Sequence, residues 1–509
     1  MVLYPWANRN GFETKHYRSY GETQEYMRQK EIFMPTEFLH GLYDGGHGAG
    51  LKDYWDMMMA NPRCAGGFLW DLMDQGVVRT DKNNYVDCMG NFGADGIVGP
   101  HAEKEGSYYT IKEVWCPVQL TWNDVEKGEL TLSNQYNFVN LKDCRFSYRL
   151  LQMPAMGSTQ VKVLKQGNLS SPDVAPGKEA QVKIPMMANA DAVEIKAVNH
   201  EGEEIMTWSR GVKSEERRVK NSSAPSTSSA AYADQADAVE VKAGGRTYRF
   251  AKKDGRLMGV EVGSKAISLS NGPRFMAARR SDRSLDQFYN HDDKEAEKKK
   301  TLYTEFVDQG AFAGFEWKEA EAKLVATYQH GSLDEVDWQF LSDGSVAVTC
   351  HYNFGGVVDM MGMAFDYPES KVRSKAWVGN GPYRVWQNRE QGPQYGYWQN
   401  DYNDPIPAES WDYPEFKGYF ANVKWMQFKT DEGKIGFSGL TADEHMGVYT
   451  PRDGRDGLLY TLPQTGLAVF KVIPSVRNKV NTTDLNGPSA LPKWLNGKGK
   501  TVFTLNFEL

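Results

Sequence analysis

A chain of 509 residues has room for several domains. Its net charge of −7 argues against nucleic acid or an anionic membrane as partner, and no apolar run is long enough to span a bilayer. The five cysteines (Cys64, Cys88, Cys116, Cys144, Cys350) form no C-x-x-C pair, so neither a zinc site nor a disulfide framework is indicated. Aromatic residues make up 12% of the chain, which suits a carbohydrate-active protein because sugar C–H faces stack on rings; all-β proteins share that enrichment.

The first 115 residues alternate between two periods. Met1–Trp6 reads as an apolar strand already under way, with no signal peptide ahead of it. The protein is therefore cytoplasmic, or its true start lies upstream and a periplasmic location stays open. Tyr20 to Arg28 can form a short helix and Ile32 to Pro35 a strand. Leu51, Tyr54, Trp55, Met58 and Met59 then recur at helical spacing. Phe68 to Trp70 comes next as a strand, and Tyr108 to Trp115 leads out of the region. This is two to three β/α units, against about eight in a closed β/α barrel.

From Val118 the period drops to two. Short alternating runs (Val118–Trp122, Leu130–Tyr136, Cys144–Leu151, Gln160–Leu164, Ala180–Ile184, Ala192–Val198) are separated by Gly, Pro, Asn and Asp. Six or seven such strands predict an immunoglobulin-like sandwich. Residues 214–237, rich in Ser, Ala and charge, read as a linker. Strand patterns then continue to Leu509 with Asp-Gly turns, as in one large two-sheet sandwich, and His291–Lys300 reads as a solvated charged loop. The expected domains are thus 1–115, 116–213, a linker at 214–237, and 238–509.

One junction carries chemistry. Ile32-Phe33-Met34-Pro35-Thr36-Glu37-Phe38-Leu39-His40 ends an apolar strand with a carboxylate, and a His stands three residues further on. In β/α barrels the reacting groups sit where a strand's C-terminal end meets its loop. Read alone, Glu37 could equally be a loop acid, His40 a packed histidine and Trp70 a core filler. His16, Arg18 and His47 are polar enough for a site but have no fixed role, and Asp71 and Asp74 could satisfy backbone donors at a strand end.

These segments, in this order, resemble glycoside hydrolase family 2, and within it the large bacterial β-galactosidases. Thr36-Glu37-Phe38-Leu39-His40 is similar to the family's nucleophile segment. Tyr54-Trp55, Asn61-Pro62-Arg63 and Gly66-Gly67-Phe68-Leu69-Trp70-Asp71-Leu72-Met73-Asp74-Gln75 are similar to the helix, turn and strand that come after that segment in the family. Asn91-Phe92-Gly93, Asp95-Gly96-Ile97-Val98, Trp377-Val378-Gly379-Asn380-Gly381-Pro382, Asn388-Arg389 and Tyr413-Pro414-Glu415 resemble later blocks.

The resemblance implies the C-terminal part of a TIM (β/α)8 barrel followed by the two sandwiches. It implies a retaining hydrolase releasing terminal β-D-galactose from a β-galactoside or oligosaccharide, with Glu37 as nucleophile. Tyr4 would hydrogen-bond the nucleophile, and His40 and Trp70 would contact the sugar. The acid/base Glu and the ligands of a Mg2+ ion would lie upstream, since only 36 residues precede Glu37 and none forms Asn-Glu. The chain would then be the C-terminal half of such an enzyme, inactive alone, with a homo-oligomer or a complementing N-terminal half as partner. The loop Leu42–His47 departs from the family's pattern, and the Phe92–Asp95 segment is shortened where the family builds a sodium site. Competing readings are a β-glucuronidase or β-mannosidase type of activity, which Asp74-Gln75 disfavours, and a non-catalytic carbohydrate-binding or structural fragment.

Overall fold

The structure is a computed structural model. It describes residues 4, 7–41, 47–88, 93, 95–212, 230–280, 303–306, 308–401, 418–449, 465–476, 478, 480, 481 and 483–509. Most of the Met1–Trp6 stretch, the 42–46 loop, Asn91-Phe92, the charged run at 291–300 and Tyr413-Pro414-Glu415 fall outside these residues. What is described is a β-rich, multidomain chain with three α-helices among the described residues, none long and apolar enough to cross a membrane.

The N-terminal region is a parallel ladder threaded by helices. β1 (Phe12–Glu13) pairs in parallel with β2 (Ile32–Phe33), and the ladder extends upward through the bridge His16↔Glu37. Phe33↔Cys64 and Phe38↔Leu69 add a third track, and Met73↔Val98 a fourth, all parallel. Parallel neighbours require a crossover, and helices supply the first two. α1 (Tyr20–Met27) starts at a capping box: Glu22 N–H donates to Ser19 Oγ while Ser19 N–H donates to Glu22 Oε2.

The crossover to the third track uses α2 (Leu51–Met59), which begins at Gly50 with φ +74; a Cβ there would meet Asn486 O at 2.3 Å, so only glycine fits. Of the five apolar positions expected on α2, Leu51, Tyr54 and Met58 are buried, Trp55 packs on Trp115 and Met59 is exposed. The buried stripe is narrower than the periodicity implied, because the helix leans on a thin core with Phe33, Phe38, Leu39 and Ile111. The exit segment is a helix, α3 (Gly106–Val114), and a hairpin, β3 (Val77–Arg79) with β4 (Tyr85–Asp87), precedes it.

Next comes a three-on-four sandwich. β5 (Val118–Asp124), β6 (Glu129–Asn134) and β9 (Glu179–Lys183) form one sheet. β7 (Arg145–Gln152), β8 (Lys162–Leu169), β10 (Ala192–Val198) and β11 (Glu204–Gly211) form the other. Inward residues such as Leu130, Leu132, Phe146, Leu150, Ile195 and Trp208 make its core. Six of these strands were legible as alternating runs; β11 was not, because Glu203-Glu204 masks its start.

The remaining described residues build two larger sheets, of ten and nine strands, over a core holding Trp338, Trp377, Phe250, Phe275 and Phe437. The C-terminal strand Lys493–Glu508 lies in the middle of the nine-stranded sheet, between Val346–Val358 and Lys434–Ser438. The expected linker needs correcting at its end: Ala231–Asp234 pairs with Ala238–Ala243 as an edge strand, while 214–229 falls outside the described residues. The five cysteines are free thiols, four of them buried and Cys64 half-buried.

The sheets do not stand apart. Leu151, Met153 and Ala192 of the smaller sandwich pack on Val378 and Trp425 of the larger, and Trp425 Nε1 donates to Pro154 O at 2.9 Å. The helical region meets the larger sandwich through Gly50 N–H to Asn388 O (2.9 Å), Thr110 Oγ1 to Gln391 O (2.9 Å) and the stacked rings of Tyr109 and Tyr383.

Candidate functional site

Each parallel track ends in a polar or aromatic side chain, and these ends converge. On the first track, the chain passes Glu13 and Thr14 and reaches Tyr17. On the second it reaches Glu37 and His40; on the third, Trp70 and Asp71. The fourth contributes Asp95, whose carbonyl accepts from Asp71 N–H at 2.9 Å. The alignment is a consequence of the ladder, since Tyr17 N–H donates to Glu37 O (2.9 Å) and Gly41 N–H to Trp70 O (3.0 Å).

Glu37 is about one quarter exposed, and the phenol of Tyr17 donates to its Oε2. His16 Nδ1 stands 3.6 Å from the same oxygen. The expected phenol was that of Tyr4. Instead Tyr4 carries the Arg9 guanidinium over its ring at 4.4 Å, and its carbonyl accepts from Thr14 Oγ1. Tyr4 lies before the first turn of the ladder, whereas Tyr17 lies at the strand end; that difference in height decides which ring reaches Glu37. A signal for Tyr17 was present: Ser19-x-x-Glu22 marks a helix start, so the residues just before it are a strand-end junction like that at Glu37.

Two residues here hold uncommon backbone conformations, Tyr17 at φ +50 and Leu39 at φ +46. Such positions cost on the order of 1–3 kcal/mol each and persist where neighbours over-determine them.

His40 and Trp70 come together. Their ring centroids are 6.4 Å apart, and Tyr17's ring is 4.9 Å from His40's. His40 is buried and Trp70 half-buried, outside the apolar core beneath, so Trp70 is not a core filler. Between them lies a residue the sequence reading had not singled out. Asp95, almost wholly buried, accepts from Trp70 Nε1 at 3.3 Å and lies 3.6 Å from His40 Nε2.

His47 is also fully buried, with Nε2 on Trp70 O at 2.6 Å, and burial pushes its imidazole down to about 4, so it is neutral at pH 7. Its ring lies where a Gly41 side chain would be: a Cβ on Gly41 would meet His47 Cε1 at 1.9 Å. Arg18 is committed to Glu22 at 3.1 Å.

The other acids have structural duties. Glu13 is buried and paired with Lys15 Nζ at 2.8 Å. Asp71 accepts from Gln75 Nε2 at 3.2 Å. Asp74 accepts from Gly96 N–H at 2.8 Å, and burial, aided by the nearby Asp95, Asp71 and Glu103 charges, raises its carboxyl to about 6. Asp44 is outside the described residues.

Magnesium finds no ligand set beside Glu37 among the described residues. Among the described residues one group of three has ligand atoms within 4.8 Å of one another; Glu335, Asp337 and His351 sit on the nine-stranded sheet, and Lys323 Nζ already lies 3.4 Å from Asp337.

Residues 242–469 match the family described as "Beta galactosidase small chain", and residues 130–208 match "Beta-galactosidase, domain 4". Over these two segments the chain is similar to β-galactosidase domains. The β-galactosidase of Oenococcus oeni is 19% identical over 504 residues, covering 90% of this chain and 47% of that protein. Those of Priestia megaterium and Pectobacterium atrosepticum are 27% and 29% identical over 126 and 113 residues, 12% and 11% of their lengths. This chain therefore spans at most about half of these relatives. A solved structure, the galactose 1-epimerase of Lactobacillus acidophilus NCFM, aligns over 55% of this chain and 98% of its own at 9% identity with a TM-score of 0.32, too low to carry an argument.

Proposed function

We propose that this β-galactosidase-type chain supplies the nucleophile half of a retaining glycoside hydrolase that releases terminal β-D-galactose. The observation that carries it is the Tyr17–Glu37 pair at the end of a parallel ladder, with His40 and Trp70 beside it. A retaining nucleophile must be ionised and aimed at the anomeric carbon. A phenol donating to the carboxylate favours the charged form and restricts its rotation. Trp70 offers an apolar ring face for a sugar, and His40 a polar edge held by Asp95.

In this reading the four tracks are the last part of a (β/α)8 barrel of glycoside hydrolase family 2. The second carboxyl, about 5 Å from the first, protonates the leaving oxygen; we assign it, with any Mg2+ ligands, to a segment that the relatives carry and this chain does not include. The described acids support this, since Glu13, Asp71 and Asp74 are held by Lys15, Gln75 and Gly96. The 509-residue chain alone is then inactive towards β-galactosides. The groups that complete the site would belong to an N-terminal half, carried upstream in the same polypeptide or on a separate chain.

The test is to assay aryl-β-galactoside hydrolysis by the chain alone and after adding an N-terminal β-galactosidase half. A 2-fluoro-galactoside should then trap the complemented enzyme on Glu37. Turnover by the lone chain that vanishes in Glu37→Gln would place the acid within this chain and overturn the half-enzyme reading. A label on another carboxylate would remove Glu37 as nucleophile.

A further inference from the structure

The conformation of Tyr17 is set from the far end of the chain. Tyr17 N–H is fixed by Glu37 O, which ties down one side of the residue. On its other side, Asn481 Nδ2 donates to Tyr17 O at 3.2 Å, from a position 464 residues later. Asn481 is itself held: its N–H donates to Asn478 Oδ1 (2.7 Å), and Asn478 Nδ2 donates to Asn486 Oδ1 (2.9 Å). All three asparagines are buried, and the carbonyl of Asn486 abuts Gly50 at the start of α2. Next to Tyr17, Arg18 O accepts from the Tyr54 phenol at 3.0 Å.

A bulky aromatic at φ +50 is in a region that L-residues avoid unless their surroundings impose it. The N–H bond to Glu37 orients the peptide ahead of Tyr17 but leaves rotation about its N–Cα bond, which carries the side chain and the carbonyl together. A donor on the carbonyl restrains that rotation, and with it the swing that would carry the phenol away from Glu37.

We infer that Asn481 is a positioning residue: by holding the Tyr17 carbonyl it keeps the Tyr17 phenol on the Glu37 carboxylate, so the C-terminal segment assembles the site. The catalytic importance of this hold rests on the reading of Glu37 as nucleophile; the hold itself does not.

The test uses the full 509-residue chain with a single fluorotyrosine at position 17, read by fluorine NMR. Glu37→Ala defines the resonance of the ring without its acceptor. Asn481→Ala is expected to move the resonance most of the way to that position. Ser489→Ala, which loosens the same segment at Asp53 without touching Tyr17, is expected to leave it in place. If Asn481→Ala does not fold, Asn481→Asp keeps the size, loses the donor and is read instead. An unmoved resonance overturns the proposal. So does an equal shift in Ser489→Ala, which would mean that docking in general, and not this amide, sets the ring. Trapping on another carboxylate would retire Glu37 as nucleophile while leaving this result intact.

Discussion

Asp53 Oδ2 accepts two hydrogen bonds from Ser489, one from its N–H (2.8 Å) and one from its Oγ (2.6 Å), across 436 residues of chain. The contact fastens α2, whose preceding loop carries His47, to the segment just before the last strand. Asp53→Ala strips two donors of their shared acceptor. It should lower stability by about 1–2 kcal/mol and the melting temperature of the helical region by a few degrees, with protection in the nine-stranded sheet unchanged. Hydrogen exchange resolves the two regions; uniform loss across both would show that Asp53 is not a local fastening.

Gly41→Ala should be far worse than an ordinary glycine substitution. The new methyl would coincide with the buried His47 ring, 1.9 Å from Cε1. Overpacking of this kind costs about 1–3 kcal/mol. A thermal melt equal to the parent's would show that His47 moves aside freely.

Acid should weaken the fold through two histidines. Burial lowers both His47 and His445 to about 4, below the ordinary value near 6.5. In each case the unfolded chain binds the proton more tightly, so the stabilisation is complete above about pH 6.5 and is lost as pH falls from there towards 4. The limit is on the order of 3 kcal/mol per histidine. The raised Asp74 carboxyl opposes this over the same range, so the histidines are read in Asp74→Asn: urea midpoints measured from about pH 7.5 down to about pH 5 should fall in that variant, and adding His445→Asn should flatten the slope. An unchanged slope in the double variant would exclude His445 as a contributor.

In a complemented enzyme, His40→Ala and Trp70→Ala should each lower kcat/KM by roughly 10–100-fold or more, the loss expected for one good contact. Tyr17→Phe should lower kcat, and Tyr4→Phe should be nearly silent because its ring faces Arg9. Equal losses for the two tyrosines would contradict the assignment of the phenol to Tyr17.

Limited proteolysis should cut first within 214–229, whose Ser, Ala and charged composition cannot bury a core. The fragments should nevertheless co-elute on gel filtration, held by Leu151, Met153 and Ala192 against Val378 and Trp425. Separation into independent pieces would show that this contact is too weak to hold them.

The chain by itself was enough to show that Glu37 ends a strand, that the strand alternates with helices, and that period-two strands take over from Val118. These are local facts, written in hydrophobic periodicity and in the cap and turn residues that interrupt it. What it could not show is which side chains from different tracks meet. Tyr4 and Tyr17 both lie in the short stretch ahead of α1, and only the parallel register His16↔Glu37 decides that Tyr17 stands level with the carboxylate. Asp95 was visible only as part of a motif, because its partners His40 and Trp70 lie on two other tracks. Asn481 was invisible altogether: a side-chain amide 464 residues away becomes a neighbour only once the last strand is buried in the middle of its sheet. Local periodicity is set by nearest neighbours in the chain, whereas register and docking are set by which buried surfaces fit one another, and that choice is made in three dimensions.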